Sequence, residues 1–114
     1  MNNSPPHALL DIRPDHLAIV RGILRRHVPD RKVLAFGSRA KRKAKKYSDL
    51  DLAVIGEHPL SLSVEASLAE AFDESDLVFK VDVVDWAKTG PAFREIITRS
   101  AVVVQNGNEG GITA

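Results

Sequence analysis

The chain of 114 residues, 44% apolar and 27% charged, has the balance of a folded, water-facing protein, with room for a single modest core and not for two full domains. It has no cysteine, which excludes a disulfide framework and thiolate chemistry, and neither an apolar run near the roughly 20 residues of a membrane span nor the pattern of a secretory signal, so a cytoplasmic protein is expected. The net charge of +1 conceals an asymmetry: six of the 16 basic residues, Arg39, Lys41, Arg42, Lys43, Lys45 and Lys46, lie between positions 39 and 46, and without them the rest stands at −5. An acidic body with one basic edge follows.

Residues 1–13, with Pro5 and Pro6, read as a flexible N-terminal segment, residues 14–104 as the folded domain and residues 105–114 as a flexible tail. A helix is expected from Pro14, since proline suits a first helical position and Leu17, Val20, Ile23, Leu24 and Val28 recur on one face until Pro29. Lys32–Phe36 is a short apolar strand stopped by Gly37, after which RAKRKAK favours a short helix. Leu50–Ile55 makes a second strand, closed by Gly56 and Pro59. Leu60, Val64, Leu68 and Phe72 give residues 60–75 the period of an amphipathic helix, and Val78–Val84 forms a third strand. After Gly90-Pro91 comes a helix over Ala92–Thr98, with Phe93, Ile96 and Ile97 inward, and then a strand over Ala101–Val104.

More than twenty residues, including a helix, separate strands two and three, which is enough for a crossover and a parallel pair. Only about a dozen separate strands one and two, which favours an antiparallel pair. The expected fold class is α/β, with a mixed sheet of three or four strands flanked by about four helices.

The chemistry concentrates in AFGSRAKRKAKKYSDLDLAVIG, residues 35 to 56. Side chains at i and i+2 of a strand share a face, so Asp49 and Asp51 project together, opposite Leu50, Leu52 and Val54. Two carboxylates on one face repel, and each raises the other's pKa unless a cation or basic group intervenes. Oxygen ligands alone suit Mg²⁺ or Mn²⁺ rather than zinc. If Phe79, Val81 and Val83 take the packed face, Asp82 falls on the other, and with strand three beside strand two it joins Asp49 and Asp51. Three such carboxylates can hold two metal ions about 4 Å apart, as phosphoryl and nucleotidyl transfer require. Asp85 has the opposite parity and reads as a strand-end or capping residue.

Gly37-Ser38 is expected where a strand turns into a helix, so close backbone approach, a hydroxyl donor, free N–H groups and the helix dipole favour a phosphate there. Arg39 is placed to neutralise a triphosphate or a pyrophosphate leaving group. Neither G-x-x-x-x-G-K-[ST] nor G-x-G-x-x-G is present.

Gly37-Ser38, ten residues, then Asp49-Leu50-Asp51 resembles the G-S-x10-D-x-D pattern of the DNA polymerase β-like nucleotidyltransferase superfamily. The short length and the Gly-Ser-Arg-Ala opening resemble its minimal nucleotidyltransferase branch, and the likeness spans residues 14 to 104. It implies a metal-dependent enzyme in which Asp49, Asp51 and Asp82 are catalytic and bind Mg²⁺ while Gly37 and Ser38 bind nucleotide phosphates. Minimal members are similar to antitoxins of toxin-antitoxin pairs whose partner is a HEPN-domain RNase, and some transfer AMP to a tyrosine of that toxin. The resemblance therefore implies a protein adenylyltransferase that uses ATP and Mg²⁺ on a toxin partner, in a hetero-oligomer. With no residues to build an acceptor domain, the acceptor must be small or come on another polypeptide.

Two other function classes compete. One is an antitoxin that neutralises by binding alone, but retention of Gly37, Ser38, Asp49 and Asp51 argues against a vestigial site. The other is a nucleic-acid-binding domain using the basic edge at 39–46, which the scarcity of aromatic residues, 5% of the chain, disfavours. The basic run is not part of the spaced motif and reads as a solvated surface, a triphosphate attractor or a partner dock. The four histidines lack ligand spacing, and Trp86 reads as a core or edge anchor.

Overall fold

A computed structural model describes residues 9–107; the expected flexibility of residues 1–8 and 108–114 falls outside that range. The elements in order are α1 (Pro14–His27), β1 (Val33–Phe36), β2 (Leu50–Val54), α2 (Leu62–Asp73), β3 (Val81–Asp85), a 3₁₀ turn (Trp86–Lys88), α3 (Pro91–Arg99) and β4 (Val102–Gln105). The sheet has the order β3-β2-β1-β4. β1 is antiparallel to β2 and β4, whereas β2 and β3 are parallel across the α2 crossover. Both pairing directions match the connection lengths.

Alternation along β2 sets the layers. Leu50, Leu52 and Val54 point to the face covered by α1 and α2, in one core with Leu17, Val20, Leu24, Val33, Leu68 and Phe72. Fully burying one such side chain stabilises the fold by about 1.5–3 kcal/mol, so this face fixes the register. The opposite face carries a smaller cluster of Leu34, Phe36, Ala53 and Ile97 beneath α3. Val81 and Val83 pack toward the larger core and Val84 toward the smaller one, which leaves Asp82 on the α3 side.

The elements differ from expectation at five places. RAKRKAK forms no helix: hydrogen bonds run from Lys41 N–H to the Gly37 carbonyl and from Lys43 N–H to the Ser38 carbonyl, and Arg42 takes φ 61°. Like charges three and four residues apart oppose a helix, and the left-handed residue ends the turn. Residues 9–13 are not a free lead-in, because Leu10 and Ile12 are buried in the main core and Asp11 N–H donates to the Arg39 carbonyl. Gln105 belongs to β4 rather than to a tail, its amide donating to the carbonyls of Val28 and Arg31. β3 starts at Val81, three residues later than expected, because Val78 is exposed and Phe79 turns under Arg39. On α3 only Ile97 is fully buried, while Phe93 and Ile96 stay 38% and 51% exposed.

Among the described residues no helix is long and apolar enough to cross a membrane. Leu10→Ala tests whether the first described segment belongs to the core. A loss of about 2–4 kcal/mol is expected in urea unfolding, against almost none for a residue in a flexible lead-in.

Candidate active site

The parallel register sets Asp51 directly beside Asp82, and the antiparallel register sets Phe36 on the other side of Asp51. Directly paired residues share a face, so Phe36, Asp51 and Asp82 form one row across β1, β2 and β3. The next row, Leu34, Ala53 and Val84, lies under α3. Phe36 itself packs beneath α3, edge-on to Phe93, and the carboxylates continue its row onto β2 and β3 at this end of the sheet. Asp49 stands one residue before β2, exposed at the same end.

Electrostatics join the three aspartates. Burial pushes the Asp51 carboxyl above the usual carboxylate range, and the charges of Asp82 and Asp49 push it further. Asp82 has a partial counter-charge in Lys80, 3.5 Å away. Among the described residues no group of three acidic or histidine side chains is placed to hold a metal ion. The carboxylates lie near enough to repel, and their oxygen-only chemistry is that of a hard cation, which would relieve the repulsion if water or phosphate oxygens supplied the rest of its shell.

Gly37 ends β1 immediately above this row. Its φ is 78°, and a Cβ added there would overlap the Asp51 carboxylate. Glycine is therefore required twice, for the turn and for the approach of backbone to carboxylate. Ser38 follows, half-buried, and its carbonyl accepts from Lys43 N–H. Gly37, Ser38, Asp49, Asp51 and Asp82 are brought to one end of the sheet.

Arg39 is not brought there as a free phosphate ligand. It is 5% exposed, and its guanidinium donates to the carbonyls of Ser48 at 2.9 Å, Asp11 at 2.7 Å and Lys46 at 3.2 Å while lying over the Phe79 ring. Burial lowers its pKa, opposed by the charges of Asp11 and Asp49. Asp11 completes the clamp, its carboxylate accepting from Ala44 N–H and lying 3.6 Å from Arg42. Arg39 and Asp11 thus fix the chain on both sides of the basic run and up to the residue before Asp49. Sequence reasoning missed Asp11, whose partners are some thirty residues away and leave no local pattern.

The other residues fall into structural roles. Asp85 is buried, accepting from Leu60 N–H at 2.8 Å and from Ala87 N–H at 3.2 Å, as its parity implied. His16 is buried edge-on against Phe79. Trp86 packs against the smaller core under the Arg94 guanidinium. In the basic run Lys41, Lys43, Lys45 and Lys46 are exposed.

A mixed sheet with this carboxylate row and this glycine turn is the frame of a nucleotidyltransferase, and comparison with known proteins agrees. The family described as polymerase beta nucleotidyltransferase matches residues 20–109, and the chain belongs to it. A curated relative from Haemophilus influenzae, a probable protein adenylyltransferase named MntA, is 58% identical over 98 residues, which are 86% of each chain. Among solved structures, a toxin-antitoxin complex with AMP-PNP superposes at a TM-score of 0.67 with 20% identity, covering 85% of this chain and 78% of that one. A complex of a tri-AMPylated Shewanella oneidensis HEPN toxin with its MNT antitoxin gives 0.57 and 19%, with coverage of 85% and 78%. These two likenesses establish the fold.

Two outcomes test the site. Gly37→Ala should lose about 1–3 kcal/mol in urea unfolding, because both the backbone and the Asp51 carboxylate must shift. The raised Asp51 pKa means that its ionised form opposes folding at neutral pH. This opposition fades as pH falls through the raised value and is gone below the unfolded value near 4. Asp51→Asn should therefore raise the metal-free Tm by about 2–5 °C at pH 7 and by almost nothing near pH 3.5, and Mg²⁺ should stabilise the wild type but not the variant.

Proposed function

We propose that this chain transfers AMP from ATP to a hydroxyl, that of a tyrosine, on a HEPN-domain RNase toxin, and neutralises it as an antitoxin. The observation that carries the reading is the row of Asp51 and Asp82 beneath the Gly37 turn. Its support beyond geometry is the 58% identity to a relative named a probable protein adenylyltransferase.

In this reading Gly37 and Ser38 hold the phosphates of ATP at the end of β1. Asp49, Asp51 and Asp82 hold Mg²⁺, two ions by analogy with two-metal transferases, and the cation supplies charge neutralisation for the triphosphate and the acceptor oxygen. The tyrosine oxygen bonds to the α-phosphorus as the bond from that phosphorus to the bridging oxygen breaks. Pyrophosphate departs with the electron pair, and the hydroxyl proton passes to carboxylate or water. Arg39 contributes at a distance, holding the Ser48 carbonyl and with it the approach to Asp49. The exposed lysines at 41, 43, 45 and 46 draw triphosphate toward the turn.

The test is incubation with α-labelled ATP, Mg²⁺ and a HEPN-domain protein encoded beside this chain. Label should appear on the partner and fall at least about 100-fold with Asp49→Asn or Asp51→Asn, as when transition-state charge stabilisation is removed. Protection from toxicity that survives both substitutions would instead establish neutralisation by binding.

A further inference from the structure

The chain has a single tyrosine, Tyr47, and the fold presents it beside the site instead of burying it. Residues 45–48 form a turn closed twice, by Ser48 N–H on the Lys45 carbonyl at 3.1 Å and by Lys45 N–H on the Ser48 hydroxyl at 2.8 Å. Arg39 holds the residue on each side of Tyr47 by donating to the carbonyls of Lys46 and Ser48. Tyr47 therefore stands on a fixed backbone, 64% exposed, two residues before Asp49.

Packing does not explain this side chain. A tyrosine that serves the fold buries its ring and gives its hydroxyl a partner. The Tyr47 ring belongs to neither apolar cluster and has Lys46 Nζ at 5.4 Å from its centre. Among the described residues its hydroxyl makes no hydrogen bond. What it offers is a free phenol, the acceptor group of the transfer reading, on which this inference rests.

Position makes that phenol competent. Two residues of chain span at most about 7 Å, so the Tyr47 side chain stays near Asp49 in every rotamer. Such a tether turns an encounter between molecules into an intramolecular one, with an effective concentration on the order of mM for short flexible links. The exposed lysines at 41, 43, 45 and 46 that flank Tyr47 attract the triphosphate to the same place.

We infer that Tyr47 is a self-modification site: without its partner, the chain transfers AMP from ATP to its own Tyr47 hydroxyl. The phenolic oxygen bonds to the α-phosphorus as the bond from that phosphorus to the bridging oxygen breaks. Pyrophosphate departs with the electron pair, and the phenolic proton passes to carboxylate or water. The product is a phosphodiester whose negative charge offsets the lysines around it.

The test incubates the isolated chain with α-labelled ATP and Mg²⁺ and locates the label by peptide mass spectrometry. Label should lie on Tyr47 and be lost in Tyr47→Phe and in Asp51→Asn. Tyr47→Phe should keep the wild-type Tm and still label the HEPN-domain partner. A mixture of Asp51→Asn with Tyr47→Phe has the acceptor on one chain and the intact site on the other, and it should give no label. Label on a different residue, or on the Asp51→Asn chain of that mixture, overturns the self-modification. So does an isolated chain that stays unlabelled while it labels the partner, which leaves the transfer reading intact. Label on Tyr47 in a chain that never labels the partner keeps the self-modification and removes the partner as acceptor. No label on either overturns both.

Discussion

Two carboxylates side by side on adjacent strands repel, and the parallel pairing of β2 with β3 holds Asp51 and Asp82 in that position. Nothing in their own chemistry favours the contact. It persists because the alternating residues of the same strands, Leu50, Leu52 and Val54 on one and Val81 and Val83 on the other, are locked into the core under α1 and α2. A one-residue slip would turn that apolar set to solvent. Burial on one face therefore maintains electrostatic strain on the other, and the strained face is the one that a cation would relieve.

The remaining parts of the site are arranged around this row. Gly37 closes over Asp51 so tightly that a methyl group would not fit. The Arg39 guanidinium, withdrawn from solvent, ties the segment before Asp49 to residue 11 at the start of the fold. A free arginine would act on a phosphate directly. A buried arginine satisfied by carbonyls acts on geometry instead, and the exposed lysines around it are left to supply the positive potential.

Much of this was legible in the sequence, and what was legible depends on local periodicity. Alternation placed Leu50, Leu52 and Val54 opposite Asp51 and gave Asp82 its face, while connection lengths gave both strand directions. The spaced glycine, serine and aspartates identified the family because the motif lies within one short stretch. What was not legible depends on contacts across the chain. Leu10 and Gln105 looked like ends because nothing in their neighbours signals burial or pairing. Arg39 sits next to the phosphate turn in sequence, but its three acceptors lie at residues 11, 46 and 48. Phe93 and Ile96 follow the helical period of Ile97, yet α3 covers only a short stretch of sheet and cannot bury all three.

The place of β4 bears on how the chain folds. β1, at residues 33–36, lies inside the sheet, and one of its partners is β4, at residues 102–105. Arg21 and Gln105 add side-chain bonds across 83 and 77 residues. The hairpin of β1 and β2 and the crossover to β3 can form early, since their contacts are closer in sequence. Until residues 102–105 arrive, however, the strand that carries the glycine turn is itself an open edge. On a ribosome, the carboxylate row would be in place before the sheet behind it was closed, and the slow step of folding would be the last pairing rather than the assembly of the site.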